Sequence, residues 1–470
     1  MIVAGRQLSV MTSSCSPLRI GCGSGFSGDR LDASGPVVEA LIAAGGPSAL
    51  MLEVLGERTL ALAQRERRLA PDRGYEPALE ALLRPILARC VTHGVPIITN
   101  AGAANPEGAG RTVLRLARTL GITGLRVAVV DGDDIRETGA LDGLTAWEGD
   151  GRATLVGQEV IAANVYLGAA PIAAALRQGA NLVITGRAAD PALALGPMIA
   201  HFGWAEDDWD RLAAGVACGH LLECGSQVTG GYFADPGFKD VSDPHDIGFP
   251  IAEMAADGSF VITKPPGTGG LVDPRTVKEQ LLYEIHDPAA YLTPDVVLDI
   301  TGVELAQEGP DRVRVRGARG GARPERLKAT VSLPGGWLGE GEISYAGPNA
   351  RARAALAGRI VRDRLRAQGF GGRIRADLIG VVSVFGDDDG ALLAADTLDG
   401  PEDIRLRVAA ATETKAEAEQ AVREVLSLYC CGPAGGGGVR TRIVDRIRTL
   451  SFMVPRDRVH PRVRMLEDAA

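Results

Sequence analysis

From Leu18 to Pro197, short and nearly unbroken apolar runs alternate with segments whose apolar residues recur every three or four positions. The runs Leu18–Cys22, Ala49–Leu52, Val95–Thr99, Leu125–Val130 and Asn181–Thr185 have the length and composition of strands buried on both faces. Between them, Glu76–His93, Glu107–Leu120 and Pro171–Gln178 carry a helical period, and each is followed by glycine, which ends helices in a left-handed turn. This alternation predicts a parallel sheet covered by helices, a Rossmann-like α/β domain over residues 18–200, preceded by a flexible extension over residues 1–17.

Over residues 201–325 the periodicity fades and Gly and Pro crowd in, as at Gly230-Gly231 and Pro265–Gly270. Ordering so long an irregular stretch costs entropy that a functional role would offset, so this middle region is expected to complete an active-site cleft. Residues 326–470 regain a pattern: strands at Leu327–Leu333 and Gly341–Tyr345, an Arg-rich amphipathic helix at Asn349–Gln368, strands at Leu378–Phe385 and Ile404–Ala411, a helix at Lys415–Tyr429 and a strand at Val439–Phe452. From Gly341 onward the order β-α-β-β-α-β predicts a ferredoxin-like split βαβ, an α+β domain. No internal repeat relates the parts.

Composition narrows the functions. Fifty basic residues against 59 acidic ones give a net charge of −9 with no long basic block, which argues against nucleic acid as a partner. No apolar run reaches the length of a membrane span, and nothing at the N-terminus has the form of an export signal. Seven cysteines, an odd count without regular spacing, suit a reducing cytoplasm better than a disulfide framework. Only five of the 50 basic residues are lysines, and three of these lie within Lys239–Lys278.

Candidate chemistry gathers at the predicted strand ends, where open α/β sheets bind ligands. After the first strand, Gly23, Gly25 and Gly28 form a G-x-G-x-x-G, with Glu53 ending the next strand. Ser24, Gly25, Ser27, Gly28, Asp29 and Arg30 are read as a loop cradling a phosphate or carboxylate; a dinucleotide site and a plain tight turn stay open as alternatives. Asp29, Asp32 and Gly35-Pro36 argue against the dinucleotide. Asn100 and Asn105 follow the third strand, Asn105 with a competing reading as a helix cap before Pro106. Asp133 and Asp134 follow the fourth strand, and Arg187 and Asp190 the fifth. Carboxylates there suit ribose hydroxyls or Mg²⁺, the arginine suits an anion, and Asp134 and Asp190 also suit helix caps. His220 and Cys224, four apart, would share a face if their segment is helical but lack a third ligand, so no metal is assigned. Lys264 before the Pro265–Gly270 loop, with Glu279, Tyr283 and His286 spaced by four and three, forms a candidate acid/base group; a solvated helix face is the competing reading.

Five runs, Gly21–Arg30, Thr99–Pro106, Gly186–Leu195, Gly219–Phe233 and Thr276–Asp299, together resemble the acyclic terpene utilisation family, AtuA. The resemblance covers Leu18–Arg362; His220 and Gln227, in the fourth run, are also candidate substrate-binding residues. It implies a bacterial pathway that degrades citronellol-type terpenols through branched acyl-CoA thioesters, without prescribing a reaction. Longer members carry a further small C-terminal ferredoxin-like domain, sometimes encoded separately, so a small AtuA-like subunit is an expected partner. The expected function is a cytoplasmic, homo-oligomeric enzyme of hydratase or lyase type on a branched acyl-CoA or related carboxylate. CoA enters only as part of the substrate. Lys264, Glu279, His286 and Tyr283 would move the proton. The alternatives are a non-catalytic or partner-dependent subunit and an NAD(P)-dependent oxidoreductase.

Overall fold

The computed structural model describes residues 16–147, 155, 157–381, 387–389, 391 and 403–467. They form two compact units: Met1–Ser332 with Thr449–Ala470, and Leu333–Arg448. Most of the extension 1–17 lies outside the described residues.

The first unit begins with β1 (Leu18–Cys22), α1 (Ser34–Ala44), β2 (Ser48–Leu52), α2 (Glu57–Leu69), α3 (Leu79–Leu83), α4 (Leu87–His93), β3 (Ile97–Thr99), α5 (Pro106–Thr119) and β4 (Val127–Asp131). It continues with β5 (Ala162–Val165), α6 (Ala170–Arg177), β6 (Leu182–Thr185), α7 (Ala192–Phe202) and α8 (Trp209–Glu223). The segment expected as one helix over Glu76–His93 is split into α3 and α4 around Pro85, which has no N–H to continue the ladder.

β1, β2, β3, β6 and β4 pair in that order, all parallel. Leu50, Leu52, Ile97, Leu182 and Ile184 pack with α1, α3, α4 and α5 in one core. Met51, Ile98 and Val183, which point to the other face, are equally buried, and α7 packs against β1, β2 and β3. Both faces of these strands are therefore covered, which is why they read as continuous apolar runs.

The middle region departs from the expectation of irregular chain. It holds α8, then β7 (Ile251–Met254), β8 (Phe260–Thr263), α9 (Pro274–Leu282), β9 (Tyr291–Leu292), β10 (Val297–Asp299), β11 (Glu304–Gly309), β12 (Arg312–Arg316) and β13 (Arg319–Gly321). β7, β8, β12 and β11 extend the sheet beyond β1, antiparallel, so this region shares the first unit's sheet. α8 escapes the periodicity because it is buried on nearly every side from Leu212 to Glu223, leaving no polar stripe to mark its period.

The boundary expected at 326 falls instead inside β14 (Arg326–Ala346), one strand where two separate ones were expected. Its first residues pair with β5, antiparallel. The second unit then has α10 (Ala350–Ala367), β15 (Arg373–Ile379), β16 (Asp403–Thr412), α11 (Lys415–Leu426) and the part of β17 (Gly437–Pro455) up to Arg448, with strands ordered β15-β16-β14-β17. Ile343, Val361, Leu365, Leu406 and Val425 are in its core. The strand expected at Leu378–Phe385 lies partly outside the described residues; β15 ends at Ile379. The chain does not end in this unit. It returns to the first, where β18 (Arg462–Met465) pairs antiparallel with β4 at the edge of what is a ten-stranded mixed sheet. Among the described residues, no helix is long and apolar enough to cross a membrane.

Candidate active site

The loop after β1 is closed upon itself. Asp29 accepts the Gly25 N–H at 2.8 Å and its own neighbour Arg30 N–H at 2.8 Å. The protein's own carboxylate thus occupies the amide that an incoming anion would use, and α1 begins only at Ser34 with no side-chain cap. These residues fit neither the anion cradle nor the dinucleotide turn. Ser24 Oγ donates to the Phe26 carbonyl (3.2 Å), Ser27 Oγ to Glu76 (2.7 Å), and Arg30 pairs with Asp32 (3.2 Å). Gly28 lies against the Phe26 ring, and Gly25 packs on the Cys224–Gly225 backbone, where a Cβ would come within 2.5 Å of the Cys224 carbonyl carbon. The loop is a clamp that joins the end of β1 to the end of α8.

Behind that clamp the strand ends bring together a buried group of carboxyls around one arginine. Glu53, at the end of β2, accepts from Asn100 Nδ2 and from the Leu55 N–H, both at 2.8 Å, while Asn100 Oδ1 accepts the Val54 N–H at 2.9 Å. Asn100 thus positions Glu53. Arg187, 3% exposed, reaches from the end of β6 to the Leu55 carbonyl and to Asp190 (3.0 Å), with its guanidinium 4.1 Å from the centre of the Tyr166 ring. Its turn is held by Asp133, which accepts the Arg187 N–H (2.8 Å) and Asn164 Nδ2 (2.7 Å) on the same oxygen. In α8, His220 Nδ1 lies 2.8 Å from Glu223 Oε1, and its ring faces that of Tyr291 at 5.6 Å.

The electrostatics follow from burial. Desolvation pushes Glu53 up to about 8, helped by the nearby charge of Asp190 and opposed by Asn100, the Leu55 N–H and Arg187. It pushes Glu223 up to about 7 against the pull of His220, and Asp133 to about 7 against its hydrogen bonds. Asp190 is also raised, burial outweighing Arg187. His220 loses to burial but gains more from Glu223, so this pair carries a proton near neutrality. Carboxyls balanced between their two states are what proton transfer at neutral pH requires.

Asp190 opens this group onto a cavity of about 310 Å³, which Tyr166, Tyr291, Lys328 and Arg326 also line. Trp147, Leu292, Pro294, Leu327 and Met453 make much of its wall apolar. Lys328 Nζ lies 4.7 Å from the Tyr166 ring centre and 3.6 Å from Glu57, which also accepts from the Tyr166 hydroxyl.

The expected acid/base group does not assemble. α9 ends at Leu282; Tyr283 is extended and Glu284 has φ +59°, so His286 leaves the stripe on which Glu279 lies. Glu279 is exposed and pairs with Lys239, and His286 is exposed. Lys264 donates to the Thr268 carbonyl (2.7 Å) and pairs with Asp311 (3.2 Å), which makes it a tie for its own loop. Tyr283 is half-buried, raised first by desolvation and then by Glu284, with Cys224 and Gln227 beside it. Asn105 is the cap of α5, accepting the Gly108 N–H at 3.0 Å. Asp134 caps no helix; it accepts from Arg136 N–H and Gln64. Asp190 caps none either, since α7 starts after Pro191. Cys224 is raised to about 12 by burial, which leaves it a thiol, and no group of three or more His, Cys, Asp or Glu able to hold a metal ion occurs among the described residues.

Sequence reasoning did not single out Tyr166, Glu223, Tyr291, Glu57 and Lys328. Glu223 had one local signal, a carboxylate three positions after a histidine in an apolar segment. The others come from elements distant in sequence and meet only in the folded chain.

Fold and site together define a mixed-sheet α/β protein with a buried carboxyl cluster at the carboxyl ends of its parallel strands. The chain belongs to the acyclic terpene utilisation family AtuA, whose model matches residues 18–465 and so extends past Asp299 into β18. Searches of curated proteins and of solved structures found no significant match.

Proposed function

We propose that this protein is an acid/base enzyme of acyclic terpene utilisation, of hydratase or lyase type, acting on a branched acyl-CoA or related carboxylate. The observation that carries this reading is that Asp190 lines a largely apolar cavity while its charge acts on the buried, raised carboxyls Glu53 and Glu223. Adding water to an enoyl group, or removing it, requires one proton taken and one given. Asp190 serves the substrate side of that exchange, and Glu53 and the Glu223–His220 pair hold protons behind it. Lys328 and Arg326 supply positive charge for the thioester or carboxylate end, while Arg187 holds Asp190 in place. CoA enters as part of the substrate, and a cytoplasmic homo-oligomer belongs to the same reading. So do a Rossmann-like description of the first unit and a ferredoxin-like one of the second.

The test follows a 3-methyl-branched enoyl-CoA by loss of its enoyl absorbance and by deuterium uptake at Cα. Asp190→Asn is expected to lower kcat by about 10²-fold or more in a protein that still folds, as circular dichroism checks, although it loses stability with the charge paired to buried Arg187. Full turnover in that variant sinks the reading.

A second reading, a partner-dependent subunit of a degradation complex, draws on one observation. Tyr232 and Phe238 are 88% and 83% exposed, Tyr232 facing Tyr283 at 6.4 Å. Large aromatic side chains left in water are common where another chain covers them. Co-purification with a small AtuA-like subunit, with turnover only in the complex, would favour it.

A further inference from the structure

We propose that a second cavity, at the carboxyl ends of β3 and β4, binds a phosphorylated sugar, namely a ribose phosphate either free or within a nucleotide. The cavity holds about 670 Å³, a volume suited to a small polar ligand, and does not include Asp190 or Tyr166.

Its floor is made by Asn164 and Asp133, 1% and 3% exposed. Asn164 spends its amide donor on Asp133, and its Oδ1 has no hydrogen-bond partner among the described residues. A buried amide oxygen calls for a donor. Beside it, Asp133 brings carboxyl oxygens, which in the ionised state accept only. Neighbouring acceptors of this kind suit the donors of a vicinal diol.

The rim supplies the opposite charge. Arg111, Arg462 and Arg464 are spent on Glu107 and Asp131, at 2.6 to 3.1 Å. Arg67 and Arg115 also line the cavity, held by the Ala104 carbonyl and by the Thr112 hydroxyl (2.7 Å), and neither forms an ion pair among the described residues. Guanidinium groups held in this way suit a phosphate. The N-terminus of α5 is not the anion donor, because Asn105 already takes its Gly108 N–H. Carboxylates border the site too: Asp134 is engaged by Gln64 and Arg136, and Asp72 stands exposed at the edge. Asp133 also holds the Arg187 turn, so a ligand here would touch the support of the Asp190 site.

Calorimetric titration of the full chain with ribose 5-phosphate, ADP, 2-deoxyribose 5-phosphate and inorganic phosphate tests this. Saturable binding of ribose 5-phosphate or ADP at one site is expected, about tenfold tighter than inorganic phosphate and about fivefold tighter than the deoxy sugar. Arg115→Ala, on an exposed side chain, is expected to weaken it about tenfold. ADP binding well above ribose 5-phosphate assigns the site to a nucleotide; equal binding assigns it to the sugar phosphate. Absence of saturation up to about 10 mM of both overturns the proposal. So does equal affinity for inorganic phosphate or the deoxy sugar, or an unaltered Arg115→Ala.

Discussion

Glu53 carries a pH dependence whose sign can be worked out. Its folded value of about 8 lies above its ordinary 4.5, so between these values the folded chain binds more protons than the unfolded one. Stability from this group is full below about 4.5 and is lost as pH rises through about 8. Glu53→Gln is expected to flatten the fall in urea midpoint between pH 6 and 9 by a measurable part. An unchanged slope would mean that Glu53 is ionised in the folded protein. Lys264 gives a contrasting case. Arginine can keep its charge beside Asp311, so Lys264→Arg is expected to hold kcat within about twofold. A severe loss in a steady-state assay would restore the lysine as a base.

Among the elements, the β1 loop is the one most constrained by its neighbours. A methyl at Gly25 would meet the Cys224–Gly225 backbone at 2.5 and 2.6 Å, and backbone cannot swing aside as a side chain can. Gly25→Ala is therefore expected to cost about 2 kcal/mol or more and to lower turnover, because the clamp holds α8 and its His220–Glu223 pair. Denaturant melts together with kcat would check both parts. At α9 the Asp273 capping box, accepting Arg275 and Thr276 N–H at 2.8 and 3.1 Å, is worth about 1 kcal/mol. Asp273→Ala should cost that much stability and no activity.

For the whole molecule, the first unit is interrupted by the second. β18 supplies the last strand of its sheet, and Arg462 and Arg464 bind Asp131 at the end of β4. The Glu325 carbonyl accepts the Arg456 N–H, and Arg326 reaches the Met453 carbonyl, so the two ends of the first unit run side by side. Replacing Leu333–Arg448 with a short turn is expected to leave a folded first unit. A chain stopped at Ser332 would bare the β4 edge and aggregate, as unpaired edges do. Circular dichroism and size-exclusion chromatography distinguish the two; a stable monomer from the truncated chain would refute this reading of β18.

Sequence alone determined what local pattern can determine. The parallel strands and most helices were legible because burial on both faces makes apolar runs and burial on one face makes a helical period, as at Leu18–Cys22 and Pro106–Thr119. Gly21–Arg30 and its companion runs marked the family for the same reason, being contiguous. Asn100, Arg187 and Asp190 could be picked as candidates because strand ends are visible along the chain, and His220 because it stands in an apolar segment. Tertiary structure alone decided what they meet. Glu53, Glu223, Tyr166 and Tyr291 lie far apart in sequence, and their perturbed protonation comes from shared burial, which no single segment encodes. It also decided that Asp29 fills the glycine loop, that Lys264 pairs with Asp311, and that β18 returns to β4. Each of these rests on a contact between distant residues, where packing and charge choose the partner and local propensity does not.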